Sequence, residues 1–233
     1  VAYRSVMAAA SDLAAMGASP QALLLALTLP EADRVWLEGF SRGLAEARTA
    51  IGAPLVGGDT TRGSLSLTVT VLGSTPADQY LTRSGAQPGD RLCVSGTLGD
   101  AAAGLAVLSG QLAVDESAAA FLTTRYIRPA ARLALGQALR DCATACIDIS
   151  DGLLSDAAHI ASASGVRLEI DSALLPLSET LRSSADLDQS LDWALAGGDD
   201  YELLFTLPDN TPLPAGCMEM GRVVAGSGIS CDR

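Results

Sequence analysis

The chain has 233 residues, a formal net charge of −12, a hydrophobic fraction of 48% and only 4% aromatic residues. This composition excludes a disordered chain and is typical of an alanine-rich α/β enzyme, with length for one large domain or two small ones. The acidic balance argues against a nucleic-acid partner, and no apolar run reaches the ~18 residues of a membrane span.

In the N-terminal third, the spacing of apolar residues predicts alternating helices and strands. Helices are predicted over 2–17 and 31–50, and strands over 23–29 and 65–71. The glycine-rich cluster 57–63 predicts a turn between the second helix and the second strand. The stretch 73–76 predicts a boundary, which divides the chain into domains 1–76 and 77–233.

In the second domain, the sequence predicts a less regular order of helices and strands. Strands are predicted at Leu92 and Val94, at Leu168 and Ile170, and from Tyr201 to Leu207; helices are predicted after Asp100 as N-cap, from Pro129 to Leu139, and after Asp151. The order mixes α and β elements without a regular doubly wound alternation. We therefore predict an α/β protein of α+β character, with mixed sheets and some antiparallel pairing.

Chain start and cysteine usage bear on the cellular compartment. The sequence opens on Val1, and Ser11 and Asp12 break its first apolar stretch, so we expect an interior start and no signal peptide. Its five cysteines are odd in number and scattered, and a single histidine accompanies them. This pattern favours buried thiols in a reducing cytoplasm over a disulfide framework or a metal site.

Three junctions share one pattern, in which an apolar segment is followed by glycine and aspartate. They are 56–61 with Gly58 and Asp59, 147–152 with Asp148, Ser150 and Asp151, and 195–202 with Asp199; a further carboxylate, Asp12, interrupts an apolar helix. Mg²⁺ prefers oxygen ligands, and adjacent glycines let phosphate approach the backbone N–H groups. The pattern therefore favours a site that handles phosphates through metal ions.

Each carboxylate also has a purely structural interpretation. Asp151 is suited to cap the helix that follows it, Gly-Gly-Asp is a common turn signal, and Asp12 fits a solvated helix face. Capping and metal binding are compatible for Asp151, so both stay open. Arg83 is either an exposed loop arginine or a fork for a phosphate oxygen. Asp156 and His159, inside the helix after Asp151, are expected to be structural.

Six segments together resemble the thiamine-monophosphate kinase family, whose superfamily includes aminoimidazole ribonucleotide synthetase. They are SDLAAMGA (11–18), LALTLP (25–30), GGDTTRG (57–63), LTRSGAQPGD (81–90), IDISDGLLSD (147–156) and AGGDDYELLF (196–205). A single Gly-Gly-Asp means little, but the ordered set is highly specific. The resemblance implies a two-domain synthetase-like fold whose N-terminal domain is truncated here.

The resemblance also implies an activity and a set of site residues. The activity is ATP-dependent phosphorylation of thiamine monophosphate to thiamine diphosphate, by direct transfer with several Mg²⁺ ions in a cytoplasmic homodimer. The implied metal ligands are Asp12, Asp59, Asp148 and Asp151; the implied ATP contacts are Gly58, Asp59, Arg83 and Ser150; the implied substrate contact is Asp199. Neither nucleic acid nor a membrane is an expected partner.

Three departures from the family pattern bear on these implications. The family's N-terminal Gly-Asp-Asp, its Ser/Thr-Asp segment and a nearby histidine have no counterpart here. Asp199 stands where the family usually has glutamate, and the sequence ends at Arg233, before the family's C-terminal aromatic residue. Three alternatives remain: another ATP-dependent enzyme of the superfamily, a non-catalytic nucleotide-binding or subunit-interaction protein, and a structural domain whose aspartates are caps.

Overall fold

The computed structural model describes residues 1–232. In chain order the elements are α1 (Ala2–Ala15), β1 (Ser19–Leu29), α2 (Arg34–Ile51), β2 (Leu55–Arg62), β3 (Ser66–Ser74), β4 (Arg91–Ser95), α3 (Asp100–Leu108), α4 (Glu116–Ile127), α5 (Leu133–Leu139), β5 (Ala145–Asp148), α6 (Leu153–Ser164), β6 (Arg167–Asp171), a 3₁₀ turn (Ser172–Leu174), α7 (Glu179–Ser184), α8 (Leu187–Ala196), β7 (Leu203–Leu207), β8 (Cys217–Val224) and β9 (Gly228–Asp232). Within this part of the chain, no helix combines the length and apolar character that crossing a membrane requires.

The strands form two sheets. The first has the order β2-β1-β3, with β1 parallel to β2 and antiparallel to β3. The second has the order β5-β7-β4-β8-β6-β9 and is antiparallel except for the β6–β9 pair. The prediction of an α+β protein with mixed sheets is confirmed.

Helix α1 connects the two sheets. Its apolar side, including Val6 and Met7, packs with Leu23 of β1 and Ile51 of α2 in one core cluster. Farther along the helix, Ala14 packs with residues of β4, β5 and β7 in a second cluster. Since α1 lies against both layers, its polar residues are brought close to the end of β5.

The prediction of a turn over 57–63 is wrong. Residues Leu55–Arg62 form β2, which pairs in parallel with β1. All eight residues of β2 are exposed, so no apolar alternation marks the strand in the sequence. Gly58 is required by close packing: a Cβ on this residue, whose φ is +148°, would lie 1.9 Å from the Leu25 carbonyl oxygen.

The helix boundaries of the second domain also differ from prediction. The helix expected from Pro129 begins only at Leu133, and α4, α7 and α8 were not predicted. In α4 only Ala118 and Leu122 are buried, so its apolar stripe is too narrow to be recognised. Asp100 does not cap α3; Gly99 is the N-cap and Asp100 is the first helical residue.

Candidate active site

Two of the three acidic junctions meet at one end of the second sheet. Because β5 and β7 are antiparallel neighbours, the segment that leaves Asp148 runs beside the segment that enters Leu203. The Ile149 N–H donates to the Glu202 carbonyl oxygen at 2.8 Å, and the Tyr201 N–H donates to the Ile149 carbonyl oxygen at 2.8 Å. The residues around Ser150 and those around Asp199 therefore form one continuous surface.

The Asp199 loop is held in an unusual backbone conformation. Asp199 and Tyr201 have φ values of +70° and +52°, which non-glycine residues rarely adopt. The Asp199 N–H donates to the Ser150 carbonyl oxygen at 3.0 Å, and a Cβ on Gly198 would lie 2.4 Å from that same oxygen. Residues in such conformations cluster at functional sites, where the surrounding structure offsets a cost of roughly 1–3 kcal/mol each.

Asp148 and Asp12 lie close enough for their charges to interact. Asp148 is 5% exposed, and burial raises the pKa of its carboxyl group. The charges of Asp12 and Asp156 raise that pKa further, while the neighbouring Ser11 hydroxyl opposes the shift. The Ser11 side chain is fully buried, and the Asp148 carboxylate is the polar group that it faces. The end of β5 is thus an electronegative recess that favours a cation.

Asp151 does not cap the following helix. The N-cap of α6 is Gly152, and no side chain caps it. Instead, the Asp156 carboxylate reaches back from the first turn and accepts hydrogen bonds from the Ser150 and Asp151 N–H groups at 3.0 and 3.1 Å. Asp156 therefore has the structural role expected of it, and the exposed Asp151 carboxylate is left without a capping role.

Within residues 1–232, no hydrogen bond or ion pair links Gly58, Asp59 or Arg83 to this surface. Asp59 is exposed on β2, and within residues 1–232 its carboxylate accepts a hydrogen bond only from the Thr60 N–H, at 2.8 Å. Arg83 is exposed on a loop that runs along the free edge of β5, where the Thr82 carbonyl oxygen accepts from the Cys146 N–H. The predicted roles of these residues stay predictions.

The Asp199 carboxylate has two side-chain partners. Arg4 of α1 forms an ion pair with its Oδ1 at 2.6 Å, and the Tyr201 hydroxyl donates to the same oxygen at 2.9 Å. The Arg4 guanidinium also lies 3.8 Å from the centre of the Tyr126 ring. Arg4, Tyr126 and Tyr201 line a cavity of about 410 Å³, together with Ser5 and Ala8.

A buried polar network that the sequence did not reveal lies behind the Asp199 loop. The Glu202 carboxylate is 1% exposed and binds the Ser95 hydroxyl at 2.5 Å and the guanidinium groups of Arg125 and Arg132. The next carboxylate, Asp200, accepts from the Gly99 N–H at the start of α3. These contacts span 70 to 107 residues of sequence, so local patterns could not indicate them.

The predicted metal ligands do not by themselves form a complete coordination site for Mg²⁺. Among residues 1–232, no group of three or more His, Cys, Asp or Glu side chains is arranged to hold a metal ion. Asp12, Asp59, Asp148 and Asp151 form no ion pair with a basic side chain in that range; the ion pairs are Arg4–Asp199, Arg34–Glu38, Arg91–Glu219, Arg125–Asp100, Arg125–Glu202, Arg128–Glu46, Arg132–Glu202, Arg222–Asp209 and Arg222–Glu219. Mg²⁺ usually binds one or two carboxylates plus substrate phosphates, and this donor set suits that mode.

Comparison with family models defines the class of protein. Residues 1–75 match the N-terminal domain of AIR synthase related proteins, and residues 87–227 match the C-terminal domain of the same class. A solved thiamine-monophosphate kinase from Stenotrophomonas maltophilia superposes with a TM-score of 0.93 at 41% identity, covering 99% of this chain and 79% of that one. A structure of AaThiL complexed with AMPPCP and TMP gives 0.92 at 35% identity, covering 99% and 77%.

Curated sequences define the family within that class. The thiamine-monophosphate kinase of Escherichia coli K12 is 51% identical over 210 residues, which are 90% of this chain and 65% of that protein. The Aquifex aeolicus thiamine-monophosphate kinase is 37% identical over all of this chain and 77% of its own length. The chain belongs to the thiamine-monophosphate kinase family. It spans about two-thirds of the length of the enterobacterial relatives it matches, 65% in each case.

Proposed function

We propose that the full-length protein transfers the γ-phosphoryl group of ATP to the phosphate of thiamine monophosphate, which yields thiamine diphosphate and ADP. The observation that carries this proposal is the meeting of the Asp148 and Asp199 junctions, joined by the hydrogen bond between the Asp199 N–H and the Ser150 carbonyl oxygen. Through that contact, the recess at Asp148, which we propose takes a phosphate-bound cation, lies beside the Asp199 carboxylate, which we propose binds a cationic ring. A relative of the same fold binds AMPPCP and TMP.

Asp12, Asp148 and Asp151 are the proposed Mg²⁺ ligands at the recess, with Asp59 contributing from β2. When bound, Mg²⁺ would supply charge neutralisation between two anionic reactants, in a chain whose net charge is −12. The attacking group is a phosphate oxygen that is ionised at neutral pH, so the chain needs no general base. Positioning and neutralisation then account for catalysis of an in-line transfer.

The proposed nucleotide contacts are Gly58, Asp59, Arg83 and Ser150. Ser150 is fixed by its N–H bond to Asp156 and by its carbonyl bond to the Asp199 loop, which leaves its partly exposed hydroxyl as a donor. Arg83 is exposed and has no acidic partner in the described residues, so its guanidinium is available for a phosphate oxygen. Asp199 is proposed to recognise the positively charged thiamine moiety.

The test is product formation by the full-length protein with Mg–ATP and thiamine monophosphate. We expect thiamine diphosphate and ADP in equal amounts, and loss of both with Asp148→Asn. Asp78→Asn is the matched control, because Asp78 is an exposed loop aspartate whose positive φ asparagine tolerates. ATP binding without product would support a non-catalytic protein, and turnover with a ribonucleotide acceptor alone would support a synthetase-like enzyme.

We also propose that the protein is a homodimer formed through its first sheet. Both outer strands of that sheet are largely exposed, and four apolar side chains on or beside them are 37% to 59% exposed: Leu55, Val56, Leu65 and Leu72. An exposed apolar surface of this kind is typical of an interface between proteins. Light scattering after size exclusion tests this proposal: the wild type is expected to have the mass of a dimer, and Val56→Glu the mass of a monomer. A wild type with the mass of a monomer would contradict it.

Two further parts of the proposal concern domains and compartment. The division into domains 1–76 and 77–233 is supported by the change of sheet between Ser74 and Arg91. Cytoplasmic location is supported by five cysteines that are all free thiols. Limited proteolysis near residue 76 and fractionation of cells test these two points.

A further inference from the structure

Arg4 and Tyr201 both bind one oxygen of the Asp199 carboxylate. The Arg4 guanidinium and the Tyr201 hydroxyl contact Oδ1 at 2.6 and 2.9 Å. Burial and the charge of Asp199 raise the pKa of Tyr201, so the hydroxyl stays protonated and acts as the donor. No hydrogen bond from the described residues falls on Oδ2. The two oxygens therefore differ: Oδ1 is held by two donors, and Oδ2 has no donor among the described residues.

The residues that hold Oδ1 are themselves fixed. Arg4 lies between the Asp199 carboxylate and the Tyr126 ring, 3.8 Å from the ring centre, so its guanidinium is restrained on two sides. Tyr201 and Asp199 have left-handed backbones, and their N–H groups donate to the segment that follows β5. An arrangement restrained at every member is preorganised for binding, which lowers the entropy lost when a ligand arrives.

Helix α1 sets the distance between this carboxylate and the metal recess. Arg4 and Asp12 are eight residues apart on α1, which corresponds to about 12 Å along the axis and slightly more than two turns. Ser5 and Ala8 lie between them and line the same cavity as Arg4. A ligand with a cationic ring at one end and a phosphate at the other would lie along this face of the helix.

We propose that Arg4 is a positioning residue for the substrate, which fixes Oδ1 of Asp199 so that Oδ2 accepts a hydrogen bond from the ring system of a cationic, phosphorylated ligand. This inference rests on the proposed function and names how the substrate contact of that site is oriented. It also accounts for the short side chain of Asp199. The long Arg4 side chain reaches the carboxylate and holds it beside Arg4 and Tyr201, which line the cavity, whereas a free aspartate would rotate.

The test compares Arg4→Met, Arg4→Lys and Arg128→Met in the full-length protein. Methionine keeps much of the aliphatic stem and removes the charge, whereas lysine restores the charge. Arg128→Met is a matched control, because Arg128 also pairs with a carboxylate, Glu46 at 2.7 Å, and also lies over a tyrosine ring, 3.9 Å from its centre. KM for thiamine monophosphate, KM for ATP and kcat are measured, together with calorimetric binding of thiamine monophosphate in the presence of AMPPCP.

We expect Arg4→Met to raise KM and Kd for thiamine monophosphate on the order of tenfold, the range for a lost hydrogen bond to a charged group, with KM for ATP unchanged. Arg4→Lys is expected to recover much of that loss, and Arg128→Met to resemble the wild type. Unchanged or tighter binding in Arg4→Met would overturn the proposal, as would an equal rise in both KM values or the same effect in Arg128→Met.

Calorimetry separates failure of this inference from failure of the proposed function. A wild type that binds thiamine monophosphate without forming product refutes the kinase activity and still tests Arg4 through Kd. A wild type that neither binds nor phosphorylates thiamine monophosphate refutes both.

Discussion

Replacement of Asp200 by asparagine should remove a pH dependence of stability. Asp200 is 3% exposed, and burial raises the pKa of its carboxyl group from 3.8 to about 7, against the opposing hydrogen bond from the Gly99 N–H. Between these two values the native state holds a proton that the unfolded chain has released. The unfolding free energy therefore falls as pH rises from about 4 to 7, by about 1.4 kcal/mol per pH unit, and is level outside that window.

The assay is urea unfolding of wild type and Asp200→Asn at pH 5, 6, 7 and 8, with the difference between the two proteins taken at each pH. Other titrating groups largely cancel in that difference. From pH 5 to 7 the wild type should lose roughly 2–3 kcal/mol relative to the variant, with little further change at pH 8. A difference that is independent of pH, or one in which the wild type gains stability as pH rises, would refute a raised pKa of Asp200 in the native state.

Three further substitutions test other parts of the structure. Gly58→Ala should lower the unfolding free energy by about 1–3 kcal/mol in urea, because its Cβ would meet the Leu25 carbonyl oxygen; an unchanged value would contradict the close packing of β1 and β2. Asp148→Asn should raise Tm, because it removes a buried carboxylate whose pKa burial raises, while turnover falls by at least about 100-fold; a lower Tm would argue against an electronegative recess. Glu202→Gln should cost about 3 kcal/mol in the same unfolding assay, the low end for a broken buried pair because Arg132 is 33% exposed. Stability equal to the wild type would show that the Glu202 charge does not stabilise Arg125 and Arg132 in the folded protein.

Elements with strong local periodicity were predictable from the sequence. Helix α1, the buried part of β1, helix α2 and strand β3 are confirmed, because each carries an apolar pattern of 3.6 or 2 residues that faces a core. Strand β2 was not predictable, because its hydrogen bonds come from β1 and none of its residues is buried. Helix α4 was missed for a related reason: it buries only Ala118 and Leu122.

Some residues of the candidate site were likewise predictable from the sequence, and others were not. Asp148, Ser150, Asp151 and Asp199 stand out in sequence because polar residues follow apolar strands, and the structure brings these two junctions together. The groups that hold them come from distant positions: Arg4 lies 195 residues before Asp199 in the sequence. Only the spacing of Arg4 from Asp12 on one helix face was available as a signal. Which side chains restrain a site depends on tertiary packing, and local pattern carries little information about it.

The most direct test of the central claim is a mass-spectrometric measurement of products from the full-length protein incubated with Mg–ATP and thiamine monophosphate. One thiamine diphosphate is expected for each ADP, and no product is expected when Mg²⁺ is chelated. Folded protein that leaves thiamine monophosphate unchanged, while it releases ADP with a ribonucleotide acceptor, would contradict it.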